Sequence, residues 1–544
     1  MIKFNFSALS LQLSIKESTV KNVGNFFGNY TVYIVLSVLI AVSAFYFLYY
    51  WDNGLGLAYN DARSHLDIGR RVVEGLKPGL AQLGSVWLPL PHILMIPTIW
   101  NDFMWHSGLS GSLQSMISFV ATGLLIYFFL EKIGVGFLGR IIGVLVFVAN
   151  INVLYLQSTA MTELLLIATM LAGVYELMLY FRSDKILNLI KSSFWIMLSS
   201  LIRYEGWFLL AVAGGLIAVK TLKSRGYKVS EGVFLFFITL GGFGVVLWFL
   251  WNQLIFKDAL YFVFGPYSAR SQQIQLEEAG VLATKDDLLF SLKIYLYALV
   301  YNSYAFNVIL GLIGAIVFWF DKNIKTGIKI ASAALFAPLI FNVLALYLGH
   351  SVLFIQGLSG NTWFNARYGI MMLPAIAIFI GYLIQRAARL RYVIIGLFIF
   401  VTFFAFANND AVTIDDARVG SSQKNVSEVS GWLNKNAKER SGFILIAVAS
   451  HDAIIFSSGL PMKKFIHEGT GAYWESATAY PDRWARWIVM RTNDLNDGVF
   501  KTVSKTPGIK QYNLVGKYPF ADIYEIKEEF VSGLNTEPVL GKQK

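Results

Sequence analysis

The chain of 544 residues is 56% hydrophobic, 15% charged and 15% aromatic, with a mean hydropathy of +0.56, which excludes an ordinary soluble globule and defines a polytopic α-helical membrane protein. Its formal net charge of +11 does not mark a nucleic-acid binder, because the lysines and arginines fall in short clusters between apolar runs rather than on one soluble face. There is no cysteine, so a disulfide framework and a thiolate metal site are both ruled out, and the histidines (His65, His92, His106, His350, His451 and His467) lack ligand-like spacing.

Residues 1–30, with Lys3, Lys16 and Lys21, precede an apolar run over 33–50 that is long enough to cross a bilayer. Ala41-Val-Ser-Ala44 weakly resembles a cleavage site, but the run continues past it, so a retained first helix is expected. A dense polar stretch follows at once, carrying Asp61, Arg63, His65, Asp67, Arg70, Arg71 and Glu74. The spacing predicts a helix over 58–76 lying along the membrane surface, with Ala62, Leu66, Val72, Val73 and Leu76 on an apolar face. Asp61 and His65 are four apart and share a face, and Lys77-Pro78-Gly79 ends the helix.

Further apolar segments at 113–131, 138–157, 160–181, 187–202, 206–222, 231–254, 304–320, 327–349, 368–385 and 392–408 bring the expected crossings to about eleven. Alternate connections hold the cations: Lys132 and Arg140; Arg182, Lys185 and Lys191; Lys220, Lys223, Arg225 and Lys228; Lys322, Lys325 and Lys329; Arg386, Arg389 and Arg391. That side, shared with the N-terminus, is the cytoplasm, and the cell (plasma) membrane is the expected location. The opposite side receives the first loop (51–112), the turns at 158–163 and 203–207, a long loop over 257–303 and the loop 350–367. Residues 31–408 form the membrane domain.

Past Asn408 the composition becomes that of a small extracytoplasmic α/β domain, 409–544. Helices are expected over 425–435 and 499–504, and strands over 443–448 and 487–490, with a closing pair at 512–515 and 522–526. No Gly-rich phosphate loop opens a helix there. His451-Asp452 and His467-Glu468 read as solvated loop residues.

Polar groups at the outer rim of a membrane domain are costly unless paired or wet, and here they come from several connections on one side: Asp61 and His65, Glu163, Arg203 and Glu205, Lys257, Tyr267 and Arg270, and Arg367 with Tyr368. Carboxylates and arginines around an external cavity suit a substrate with an anionic phosphate and a greasy tail. Each residue also has a plainer role: Arg203 and Glu205 pairing with each other, Arg367 snorkelling at the interface, Glu163 complementing a helix dipole.

The acidic opening of the first outer loop, Tyr59-Asn-Asp61-Ala, the surface helix after it, Glu163 and Arg203-Tyr-Glu205 in short outer turns, and Ala366-Arg-Tyr368-Gly ahead of Pro374 together resemble the C-type (GT-C) membrane glycosyltransferases. The resemblance spans roughly 30–408 and is nearest to glycosyltransferase family 39, the protein mannosyltransferase and aminoarabinose transferase group. It implies a polyprenyl-phosphate-linked sugar as donor, a protein, lipid or glycan acceptor, inversion at the sugar carbon and catalysis by Asp61. Two features depart from the family: Asn60-Asp61 stands where protein mannosyltransferases carry Asp-Glu, and the C-terminal domain matches no assigned fold.

In this reading Asp61 accepts the acceptor's proton. Arg367, Arg203 and Arg270 hold the donor phosphate, and His65, Glu163, Glu205, Tyr267 and Tyr368 contact substrate. No cofactor is required, although Asp61, Glu163 and Glu205 together can hold a hard divalent cation. The alternative is a transporter or flippase of a lipid-linked saccharide, which calls for ionisable residues near the midplane and broken helices in related halves. This chain places them at helix ends instead. A scaffold with an exported domain accounts for the topology but not for the clustered acids and arginines.

Overall fold

A computed structural model describes residues 17–265, 268–420 and 425–535, with side chains from residue 30. Lys3, Lys16 and Tyr267 therefore lie outside what can be described. Among the described residues, eight helices are long and apolar enough to cross a membrane, from Tyr30–Asp52 to the last, which begins at Leu390, and the chain is an integral multi-pass membrane protein. The expected segments at 138–157 and 187–202 are helical but short, as Phe137–Val148 with Ile151–Leu156, and as Ile186–Ser200.

Burial separates core helices from peripheral ones. The span Ala366–Arg386 is 89% buried and Glu163–Ser183 is 78% buried, against 22% for Tyr227–Phe256. The two central helices also begin with the polar residues of the site. Close approach around Ala366–Arg386 depends on small residues: a Cβ at Gly314, on the neighbouring helix Ala305–Phe320, would lie 2.2 Å from the Phe379 carbonyl oxygen.

The segment expected as the end of the long outer loop is instead a helix, Leu288–Ser303, joined to Ala305–Phe320 by a bend of 106°. Tyr304, with φ +67°, makes the corner. The loop thus closes at 287. Helix Leu288–Ser303 packs inside the bundle, with Ile294, Tyr295 and Ala298 buried.

The surface helix is Asn60–Val73, shorter than the pattern suggested because Glu74 is already extended. Its apolar side seats Ala62, Leu66 and Val72, and Gly69 approaches Met95 of helix Leu90–Ile99. The opposite face does not look into water. Ser64, Asp67 and Arg70 are buried: helix Val448–Ser458 of the C-terminal domain meets Ser64, whose hydroxyl donates to Asp452, and Trp105 packs against Asp67 and Arg70. Arg70 reaches Asp102 at 2.5 Å and donates to the carbonyls of Ile99 and Trp100.

The C-terminal domain holds a five-stranded sheet in the order β2-β1-β3-β5-β4. β1 (Phe443–Ile446) runs parallel to β2 (Phe465–Ile466) and to β3 (Ala485–Met490), and β5 (Asp522–Ile526) pairs antiparallel with β3 and with β4 (Tyr512–Lys517). Helices Ser427–Ala437 and Gly498–Val503 fall where periodicity placed them. The pairs read as loop residues prove structural. His451 is buried against Asp497 at 2.7 Å, and His467 caps a 3-10 turn by accepting from the Gly469 amide. The first part of the expected soluble domain belongs elsewhere: helix Val412–Val419 turns back into the membrane domain and buries Thr413 and Asp416 beside the site.

Candidate active site

Three acids enter the site from helix N-termini, where the local dipole favours negative charge. Asp61 lies in the first turn of Asn60–Val73, and Glu163 and Glu205 begin Glu163–Ser183 and Glu205–Arg225. The fourth, Asp416, sits on the returning helix. Two guanidinium groups bind them together.

Arg367 is 2% exposed. Its Nη2 lies 2.7 Å from Asp61 Oδ2, its Nε donates to Glu163 Oε1 at 3.0 Å, and its Nη1 stands 3.7 Å from Asp416 Oδ2. The guanidinium lies over the Tyr59 ring at 4.9 Å. Arg203 is held by Glu205 at 3.0 Å and Glu163 at 3.5 Å, and stacks over Tyr368 at 4.7 Å. Buried charges persist only when paired and hydrogen-bonded, and each arginine here has two or more carboxylate partners.

The turn carrying Arg367 is fixed by its backbone. Asn365 takes a left-handed conformation (φ +54°), which asparagine tolerates, and leads into the 3-10 helix Ala366–Met372. Asn302 donates to the Ala366 carbonyl at 2.7 Å. A Cβ at Gly369 would lie 2.2 Å from the Ala298 carbonyl oxygen, so glycine allows this turn to seat on Leu288–Ser303. From the other side the Tyr59 hydroxyl donates to the Thr413 carbonyl at 2.8 Å and lies 3.2 Å from Asp416. Asn152 anchors the same returning helix through Thr413.

These groups border a cavity of about 60 Å³ walled by Asp61, His65, Trp87, Arg203, Arg367 and Tyr368, among others, large enough for several waters. The Asp61 side chain is 31% exposed in it. His65 sits against Trp87 at 4.2 Å and bonds to His92 at 2.8 Å. Burial, with Arg203 and Arg367 adding to it, pushes the His65 pKa down to about 3, so its imidazole is neutral at physiological pH. An apolar cavity of about 30 Å³ lies one turn further along both central helices, walled by Ile167, Leu171, Leu335, Met371 and Pro374 among others.

Of the residues expected at the site, Asp61, His65, Arg203, Arg367 and Tyr368 line the cavity. Glu163 and Glu205 do not; they are buried behind the arginines as counter-ions, so the plain pairing of Arg203 with Glu205 is realised. Arg270 is exposed over Phe264 and lines no part of the cavity. The cation grouping is not assembled: among the described residues no three His, Asp or Glu side chains are arranged to hold a metal, and the named acids contact guanidinium groups. The sequence reading missed Asp416, Tyr59, Trp87 and His92. The only signal for Asp416 was an acidic pair, Asp415-Asp416, just past the last apolar run.

The fold defines a class: a multi-pass membrane protein with a GT-C-like fold. Among solved structures the chain is similar to ArnT from Cupriavidus metallidurans. The crystal structure bound to undecaprenyl phosphate matches with a TM-score of 0.56 at 10% identity, covering 91% of this chain and 98% of that one. The apo state matches with a TM-score of 0.56 at 9% identity, over 92% and 99%. The archaeal oligosaccharyltransferase AglB from Archaeoglobus fulgidus, in complex with an inhibitory peptide and a dolichol-phosphate, aligns with a TM-score of 0.47 at 10% identity over 85% and 70%. No protein-family model matches the chain, and no curated protein matches it by sequence.

Proposed function

We propose that this protein is a membrane glycosyltransferase that moves a sugar from a polyprenyl-phosphate donor to an acceptor on the extracytoplasmic face, with the N-terminus in the cytoplasm and the C-terminal domain outside. The observation that carries the reading is the contact of Asp61 with Arg367 at the wall of a cavity shared with Arg203. An acid and two fixed cations around one small space are what displacement of a phosphate by a hydroxyl or amine requires. The shared fold with ArnT, whose crystal structure holds undecaprenyl phosphate, supports a lipid phosphate as the ligand.

In the reaction, the acceptor oxygen or nitrogen attacks the anomeric carbon, and the bond from that carbon to the phosphate oxygen breaks with its electron pair leaving on the lipid phosphate. The acceptor's proton passes to Asp61 and from there to solvent. Attack opposite to the leaving group inverts the sugar carbon. Arg367 and Arg203 stabilise the charge gathering on the phosphate without changing protonation. Asp61 and a donor phosphate compete for Arg367 Nη2, so a bound phosphate frees the carboxylate as a base.

Purified full-length protein incubated with radiolabelled polyprenyl-phosphate sugars tests the reading. Consumption of at least one donor in the wild type and its loss in Asp61→Asn is expected; turnover of no donor in the panel contradicts it.

A further inference from the structure

The site contains a polar device that the transfer chemistry leaves unused. His65 is 6% exposed and borders the cavity, one helical turn from Asp61 and on the same face of Asn60–Val73. Its Nδ1 lies 2.8 Å from Nε2 of His92, itself fully buried on Leu90–Ile99. Two neutral rings joined by one hydrogen bond share a single proton, and which ring donates decides what His65 offers to the cavity.

The Leu88 carbonyl lies beside the His92 ring and, as an acceptor, favours a proton on it. Its Nδ1, the nitrogen His65 does not engage, makes no hydrogen bond, and a proton placed there agrees with both observations. With that proton in place, His92 Nε2 is an acceptor and His65 Nδ1 must donate to it. The remaining His65 nitrogen, Nε2, then carries a lone pair. Arg203 and Arg367 border the same cavity and oppose any second proton on His65. Trp87 packs against the imidazole at 4.2 Å and restrains the ring from turning.

A neutral acceptor nitrogen repels phosphate oxygens and takes hydrogen bonds only from O–H or N–H groups. The phosphate belongs to the arginines and the acceptor's proton to Asp61, so the group left for His65 is a hydroxyl on the transferred sugar. We infer that His65 is a specificity-determining residue, its Nε2 reading a hydroxyl of the lipid-linked sugar, and that His92 is the positioning residue that fixes its tautomer. This rests on the glycosyl-transfer reading above.

The test compares binding of undecaprenyl phosphate, bare or carrying glucose, galactose or mannose, to the full-length protein in nanodiscs, measured by native mass spectrometry. At least one sugar-loaded lipid should bind the wild type about tenfold more tightly than the bare lipid. His65→Phe should erase that increment and leave the bare lipid within twofold of wild type, and His65→Gln should restore part of it. His92→Leu should reduce the increment and move the His65 nitrogen signals, in histidine-labelled protein, away from those of an Nδ1–H ring; His92→Gln, which keeps an acceptor, should rescue both. If His65→Phe does not fold, the His92 pair gives the same comparison from outside the cavity. A loss common to bare and loaded lipid, unchanged discrimination in the variants, or no preference for any loaded lipid in the wild type would overturn the inference while leaving glycosyl transfer standing. Failure of the wild type to bind undecaprenyl phosphate in any form would overturn the transfer reading and this inference with it.

Discussion

Asp61 Oδ2 and Arg367 Nη2 meet at 2.7 Å across 306 residues of sequence, and everything else in the site is arranged around that pair. Tyr59 and Asp416 brace Arg367 from one side and Glu163 from another, while the opposite face of the helix carrying Asp61 is held by the C-terminal domain through Ser64 and Asp452.

Arg367 neutralises buried Glu163 and Asp416 as well as Asp61. Removing it as Arg367→Met should destabilise the protein by about 3–5 kcal/mol, the usual cost of leaving buried charges uncompensated. Adding Glu163→Gln in the same chain should recover part of the loss. Thermal unfolding in detergent reads both; equal melting temperatures for Arg367→Met and wild type would contradict the assignment of Arg367 as the hub.

Gly369→Ala places a methyl 2.2 Å from the Ala298 carbonyl oxygen, where backbone on both sides must shift. A loss of about 1–3 kcal/mol or more is expected, together with reduced activity because the Arg367 turn moves. An alanine variant with wild-type stability would show that this turn does not sit tightly on Leu288–Ser303.

The hydroxyl of Tyr59 ties the returning helix to the arginine. Tyr59→Phe leaves a buried acceptor short of a donor and should cost about 1–3 kcal/mol. The expected kinetic signature is a lower kcat with little change in the KM for donor.

Burial and Arg71 push the His467 pKa down to about 3, against about 6.5 for an unfolded chain. Between these values the unfolded state binds the extra proton, so the contribution of a neutral His467 is complete above pH 6.5 and is lost as pH falls. His467→Asn keeps a side-chain oxygen for the Gly469 amide and cannot titrate. The stability of wild type relative to His467→Asn should therefore fall by about 1.4 kcal/mol per unit between pH 6.5 and pH 4, a difference that cancels the opposite contributions of Asp67 and Glu468, whose pKa values burial raises. Parallel pH profiles for the two chains would refute it.

Most of the helices and the charged groups of the cavity wall were legible because apolar length and the spacing of cations act locally. Asp61, Arg203 and Arg367 stood out as charges at the ends of apolar runs, which hydrocarbon does not tolerate without a reason. What escaped depends on tertiary contact. Leu288–Ser303 carries Lys293 and Asn302 and turns by 106° at Tyr304, so it read as loop, yet Asn302 supports the Arg367 turn. Val412–Val419 has the acids of a linker, and only its packing against Tyr59 and Asn152 makes it part of the site. Glu163 and Glu205 were visible as acids, but their burial behind the arginines follows from helix packing that no local pattern encodes.

The most direct test separates binding from chemistry in one substitution. Asp61→Asn keeps the shape of the side chain and removes the base, so the purified variant should still bind undecaprenyl phosphate while its rate of sugar transfer falls by roughly 10²–10⁴. Transfer by Asp61→Asn at the wild-type rate would contradict the account.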